Sequence, residues 1–99
     1  MIAKSLNNSL SWNIQRNKTF ERDINNCQKC QRTINLAVHH IIPYKFSKDN
    51  ELINLITLCP KCHMTEENFY RQFKTPSLFI KRKMQEKYPN IELPYIRNR

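Results

Sequence analysis

Four cysteines and three histidines are the residues of this chain whose types and spacing can do chemistry. Cys27-Gln28-Lys29-Cys30 and Cys59-Pro60-Lys61-Cys62 are two C-x2-C pairs separated by 28 residues. Two thiolates three positions apart in a tight turn can reach one ion, and two such turns complete tetrahedral coordination. With sulfur at all four positions no coordination site stays open, so the expected ion is a structural Zn2+. The alternative for four cysteines is a disulfide framework with three possible pairings. Met1–Asn8 lacks the apolar core of a secretory signal, and in a reducing compartment the metal is the expected outcome. Such knuckles often carry glycine after the second cysteine, where this chain has Gln31. A left-handed residue there costs on the order of 1 kcal/mol, which metal binding outweighs.

The histidines fall inside and beside that frame. His39-His40 is followed after 13 residues by Asn54, and after 8 more by His63. Taken singly, each has a plain explanation. A histidine pair can pack on an apolar strand, an asparagine in an apolar run can pin a loop, and His63 can open a helix or compete as a zinc ligand. Taken together they are more specific. Leu36-Ala37-Val38-His39-His40-Ile41-Ile42-Pro43 and Asn54-Leu55-Ile56-Thr57-Leu58-Cys59-Pro60-Lys61-Cys62-His63 closely resemble the signature of the HNH endonucleases. The upstream Trp12, Arg16, Phe20, Arg22-Asp23 and Cys27–Cys30 are similar to the lead-in of small phage and intron-associated members. The resemblance spans roughly residues 11–67.

That resemblance implies an α+β chain built on a small ββα-metal, treble-clef-like domain, with the four-cysteine zinc and extra flanking helices. It implies metal-dependent hydrolysis of DNA phosphodiesters. His40 would be the general base, suited to the task near neutral pH. His39 and His63 would hold one divalent ion, Mg2+, Mn2+, Ni2+ or Zn2+, acting as a Lewis acid. Imidazole at position 39, where many members carry aspartate, shifts the preference away from magnesium. Asn54 would pin the intervening loop and so orient His40. Glu66 and Glu67 lie three and four residues beyond His63, on the same helix face, and Glu67 is the expected extra ligand. A carboxylate near a helix N-terminus is its plain alternative. Neighbouring strand residues point to opposite faces, so His39 and His40 can act together only if the chain bends near Ile41-Ile42-Pro43.

The elements that must position these groups can be read coarsely as helix, strand, strand, helix, helix. Ser11 to about Asp23 is weakly helical, and Asn25-Asn26 breaks it. Ile34–Ile42 is rich in β-branched residues and reads as a strand closed by Pro43. Ser47–Asn50 is a turn cluster, and Ile56–Leu58 a second short strand. A helix beginning near Pro60 carries Phe69, Tyr70 and Phe73. Thr75-Pro76 reads as the start of a last helix, with Ile80, Met84 and Tyr88 as its apolar stripe. Trp12, Phe69, Tyr70 and Phe73 are expected in the core. The boundaries are then a flexible arm at 1–10, the nuclease domain with its zinc at 11–75, and a basic helix and tail at 76–99.

Composition narrows the function classes. Ninety-nine residues make one domain whose small core calls for a staple. Seventeen basic residues against eight acidic ones leave a net charge of +9, which points to a polyanion partner, nucleic acid first. A basic solubilising surface or a ribosome-associated protein is the alternative. Arg16, Lys45, Lys48, Lys61 and Arg71, with Lys81, Arg82, Lys83 and Lys87 on the last helix and Arg97 and Arg99 in the tail, are the candidate phosphate contacts. Such contacts grip backbone without reading sequence, so specificity would come from elsewhere, a phage terminase being one possible partner. No apolar run approaches a membrane span, and the expected location is the cytoplasm of a bacterial host. Twelve asparagines, eleven isoleucines, ten lysines and no glycine fit an AT-rich genome, and the family resemblance implies a phage or mobile-element gene of homing or packaging type. Without glycine, turns needing positive φ must use other residues, asparagine above all; Asn25-Asn26, Asn50 and Asn90 are the candidates. The rival from another class is a non-catalytic zinc module that binds nucleic acid.

Overall fold

A computed structural model describes the backbone of residues 2–96 and side chains from Leu10 onward. Met1 and residues 97–99 lie outside the described residues, and with them Arg97 and Arg99 of the basic tail. Helix α1 (Ile2–Arg22), strand β1 (Ala37–His40), helix α2 (Tyr44–Ser47), strand β2 (Leu55–Leu58), and helices α3 (Pro60–Phe73) and α4 (Leu78–Lys87) follow one another. A single 3-10 turn at Leu52–Asn54 leads into β2.

Helix α1 starts well before the expected Ser11 and continues back through the stretch read as an arm. No proline or glycine interrupts residues 2–10, so nothing local stops the helix. It ends where Ile24 and Asn25 take φ of 55° and 51°. A β-branched residue is strained in that region. With no glycine available, the left-handed positions fall on Ile24, Asn25, Gln31, Asn35, Lys48 and Lys74. Gln31, at φ 74°, closes the first knuckle as the spacing requires.

Strand β1 is shorter than the expected 34–42. Left-handed Asn35 delays its start. At its end the Ile41 N–H goes to the Asn54 carbonyl (2.8 Å) and the Ile42 N–H to Asn54 Oδ1 (2.9 Å), so the ladder is replaced by a side-chain clamp. β1 and β2 pair antiparallel, with Val38 opposite Thr57 and His39 opposite Ile56. Cys59 caps α3 through its sulfur, and Pro60 occupies the first turn, where a missing N–H costs nothing. The last helix is capped by Ser77 rather than Thr75: Ser77 Oγ accepts the Ile80 N–H at 3.3 Å, and serine is the stronger cap. Its Ile80 and Met84 enter a core with Ile41, Ile56, Leu58, Leu93, Tyr95 and the cysteines Cys27, Cys59 and Cys62. The segment after α4 is irregular yet anchored, since Tyr95 Oη donates to the Ile53 carbonyl at 2.6 Å.

A buried polar hub joins the helices to the hairpin. Asp23 accepts two hydrogen bonds from Arg22 (2.8 and 3.0 Å), one from the Thr57 N–H (2.9 Å), and pairs with Lys87 (3.1 Å). Arg22 also donates to the carbonyls of Leu52 and Leu55, both at 2.7 Å. Lys87, expected on phosphate, is therefore committed to the fold. Burial acts to raise the Asp23 carboxyl, but its Arg22 hydrogen bonds, followed by the Thr57 N–H and Lys87, hold it below the usual carboxylate range. Asp23→Ala strands the partly buried Arg22 charge and the Thr57 N–H and should cost about 3 kcal/mol in urea unfolding of the zinc-loaded chain. A loss under about 1 kcal/mol would contradict this role. The contribution should be complete above about pH 4 and disappear as acid protonates Asp23.

Candidate functional site

Two sites lie side by side, and the turn from β2 into α3 serves both. In the first, the sulfur atoms of Cys27, Cys30, Cys59 and Cys62 all lie within 4.8 Å of one another, with Cys30 and Cys59 3.6 Å apart. No disulfide joins them. The N–H groups of Lys29 and Cys30 point at the Cys27 sulfur, both at 3.4 Å. The Cys62 N–H points at that of Cys59 at 3.5 Å. This last contact pulls the Cys59 thiol down to about 6. Burial, then hydrogen bonding to Cys59 and Cys27, pushes Cys62 up to about 12. Four thiols this close cannot all ionise unaided, and a bound cation is what allows it. The four cysteines are positioned to bind a metal.

The second site sits at the far end of the hairpin. His39 is buried and turned toward α3, its ring 5.0 Å from that of His63 in an edge-on arrangement. Burial, then the charges of His63 and His40, pushes His39 down to about 3, so it is neutral at pH 7 with a lone pair to offer. His40 turns the other way. Trp12 of α1 stacks on it at 5.1 Å and 18°, and its Nε2 meets Asn50 Oδ1 at 2.7 Å. Although neighbours on a strand diverge, both rings reach one cleft of about 480 Å³ because it lies where the strand ends. His63 and Glu67 line the same cleft.

The two candidate glutamates separate cleanly. Glu66 is buried on the knuckle side, its Oε2 2.9 Å from Lys29 Nζ. Glu67 faces the cleft, with its Oε2 3.7 Å from His63 Nε2. Among the described residues, the cysteines are the group of three or more such ligands whose donor atoms already converge. His39, His63 and Glu67 share the cleft without meeting that closely. The Asn54 side chain makes no hydrogen bond to His40. Its side chain holds both polar groups of Ile42 (2.9 and 3.1 Å) and the Asp49 carbonyl (3.0 Å), tying down the loop that presents Asn50.

Of the basic candidates, Lys45 and Arg71 line the cleft, together with Lys74, which the sequence did not single out. Arg16 lies over the Phe20 ring at 4.9 Å, Lys48 over Tyr44 at 5.6 Å, and Lys61 is exposed on the first turn of α3. Lys81, Arg82 and Lys83 sit on α4, where Lys83 approaches Glu86 at 4.0 Å; none of the three lines the cleft. Trp12, expected in the core, packs on His40 instead, and Phe73 is exposed. Asn50 looked like any turn asparagine; only the folded loop reveals its partner.

Residues 27–69 match the family model described as HNH endonuclease. This stretch is an HNH domain. Its two short strands and helix, with the clustered cysteines, make the small ββα-metal fold that the motif implies. Neither a curated protein nor a solved structure matches the chain. The HNH domain carries all three histidines, Asn50 and Asn54, whereas Trp12 and the Arg22–Asp23 pair reach it from outside the matched span.

Two outcomes follow for the purified chain. Metal analysis should find one zinc per chain released by a mercurial reagent, and a strong chelator should unfold the domain, since site formation and folding are one process. A chelated chain with unchanged near-ultraviolet circular dichroism would contradict this. In NMR titration of the zinc-loaded protein, the His39 ring should stay neutral from pH 7 down to about 4. A His39 midpoint near 6.5 would show that it is not buried as described.

Proposed function

We propose that the chain is a metal-dependent DNA endonuclease. The observation that carries this is the meeting of His39, His40 and His63 in one cleft, with His39 held neutral and His40 held by partners on two sides. A binding module has no use for such an arrangement. His39 and His63, with Glu67 beside them, are the residues that would hold a divalent ion, whose chemistry is Lewis-acid stabilisation of the phosphate and the leaving 3′ oxygen.

The chain's own residues supply the rest. With Asn50 Oδ1 accepting from Nε2, the lone pair of His40 sits on Nδ1, free to take a proton from water. Trp12 fixes the ring plane and Asn50 its rotation, so the base is oriented before substrate arrives. Asn54 acts one step further out, through the loop. Lys45 and Arg71 on the cleft wall neutralise the flanking phosphates. The knuckle ion on this account is Zn2+, the metal suited to four thiolates. The resemblance to small phage and intron-associated members supports a phage or mobile-element gene expressed in a bacterial cytoplasm. Among the described residues no separate sequence-reading element is evident, which favours target choice by a partner such as a terminase, or by the DNA's own form.

Conversion of supercoiled plasmid by zinc-loaded protein with Mg2+, Mn2+ or Ni2+ tests the proposal. His40→Ala, shown to be folded and to retain its zinc, should lose roughly 100-fold or more of the rate. Asn50→Leu should lower kcat about tenfold with little change in KM, and Asn50→Asp, which keeps the acceptor, should restore much of it. Salt-sensitive DNA binding without cleavage under any metal would favour the non-catalytic zinc module. Equal cutting by wild type and His40→Ala would remove His40 from the reaction.

A further inference from the structure

The cleft is longer than the chemistry at its histidine end requires. Beyond His40 it runs on between α2 and the C-terminal half of α3, where Tyr44, Phe46 and Tyr70 face it among Lys45, Arg71 and Lys74. Phe46 is 63% exposed and Tyr44 45%, although both sit on a four-residue helix with no buried residue of its own. Phe46 and Tyr70 lie at 27° with centroids 6.5 Å apart, toward the open end of the range for aromatic pairs. Lys45 lies over the Phe46 ring at 5.2 Å. Exposed aromatic faces interleaved with cations are the composition that holds an unpaired strand: the rings stack bases and the charges follow the backbone. In a duplex the bases are stacked inside the helix and present no free face to such rings.

We propose that this aromatic extension is a subsite for the bases of an unpaired DNA strand next to the scissile phosphate, so that the enzyme prefers single-stranded or locally opened DNA to intact duplex. Its place beside the scissile phosphate rests on the nuclease reading, whereas base binding by the subsite does not. Phe46 supplies the stacking face, Tyr70 the opposing wall, and Lys45, Arg71 and Lys74 the phosphate contacts. Tyr44 packs at 5.5 Å from the His40 ring and joins the subsite to the reaction centre.

Fluorescence anisotropy of the zinc-loaded full chain with a labelled single-stranded 12-mer, and with the blunt duplex of the same sequence, measures this without cleavage. Phe46→Ala and Phe46→Leu should each weaken single-strand binding about tenfold and duplex binding less than twofold. A 2-aminopurine base in the single strand should change its emission on binding wild type and not on binding Phe46→Leu. Phe46 is exposed, so neither variant should alter the unfolding midpoint, which is checked in parallel. Equal weakening of both DNA forms, or no weakening of either, would overturn the subsite. Loss of single-strand binding in the variants, with no cleavage by any form of the protein, would uphold the subsite while removing the nuclease reading.

Discussion

The four-cysteine cluster is the constraint on which the rest of this small fold depends. One cysteine pair follows α1, while Cys59 and Cys62 bracket the first turn of α3. Bringing the pairs together fixes where α3 leaves the hairpin. His63, the residue after Cys62, is thereby carried to its place beside His39. A two-stranded hairpin is marginal by itself, and three of the four cysteines belong to the hydrophobic core. A metal at that point would hold core and cleft together, with the histidines placed by the same few residues that bind it.

A second, metal-free clamp acts from the other side. Among the described residues β2 has one neighbouring strand, and its outer edge would expose unpaired backbone groups. At Thr57 that edge is closed by Asp23, which accepts the N–H, and by Gln28, whose N–H meets the carbonyl at 3.0 Å. Arg22 reaches the carbonyls at either end of the 3-10 turn leading into β2. The long α1 is thus fastened to the hairpin by polar contacts, and the same helix delivers Trp12 to the face of His40. Orientation of the His40 ring and integrity of the edge have one source.

Much of this was legible in the residues themselves, for identifiable reasons. Metal knuckles are local, so the C-x2-C spacing foretells the cluster, and Gln31 duly takes the left-handed conformation. The order His39-His40, Asn54, His63 points to the family because a compact hairpin-plus-helix leaves little freedom in those intervals. What stayed hidden depends on tertiary contact. Nothing local distinguishes Asn50, which meets His40, from Asn90, or Lys87, which meets Asp23, from the other basic residues of α4. Trp12 reads as a core residue on hydrophobicity, yet its ring is spent on an imidazole. Helical spacing allowed Glu66 and Glu67 equally, and only the folded position of α3 separates a knuckle partner from a cleft carboxylate. Local cap strength decided for Ser77 over Thr75, and the absence of any breaker carried α1 back to Ile2.

The central claim is that this chain has two chemically distinct metal sites, one of sulfur and one of imidazole. Anomalous diffraction from crystals of the zinc-loaded protein soaked in Mn2+ addresses it directly. The account predicts zinc among the four cysteines and a separate manganese peak at bonding distance from His39 and His63, with Glu67 turned toward it. Manganese elsewhere, or no peak in the cleft when the zinc site is full, would contradict it.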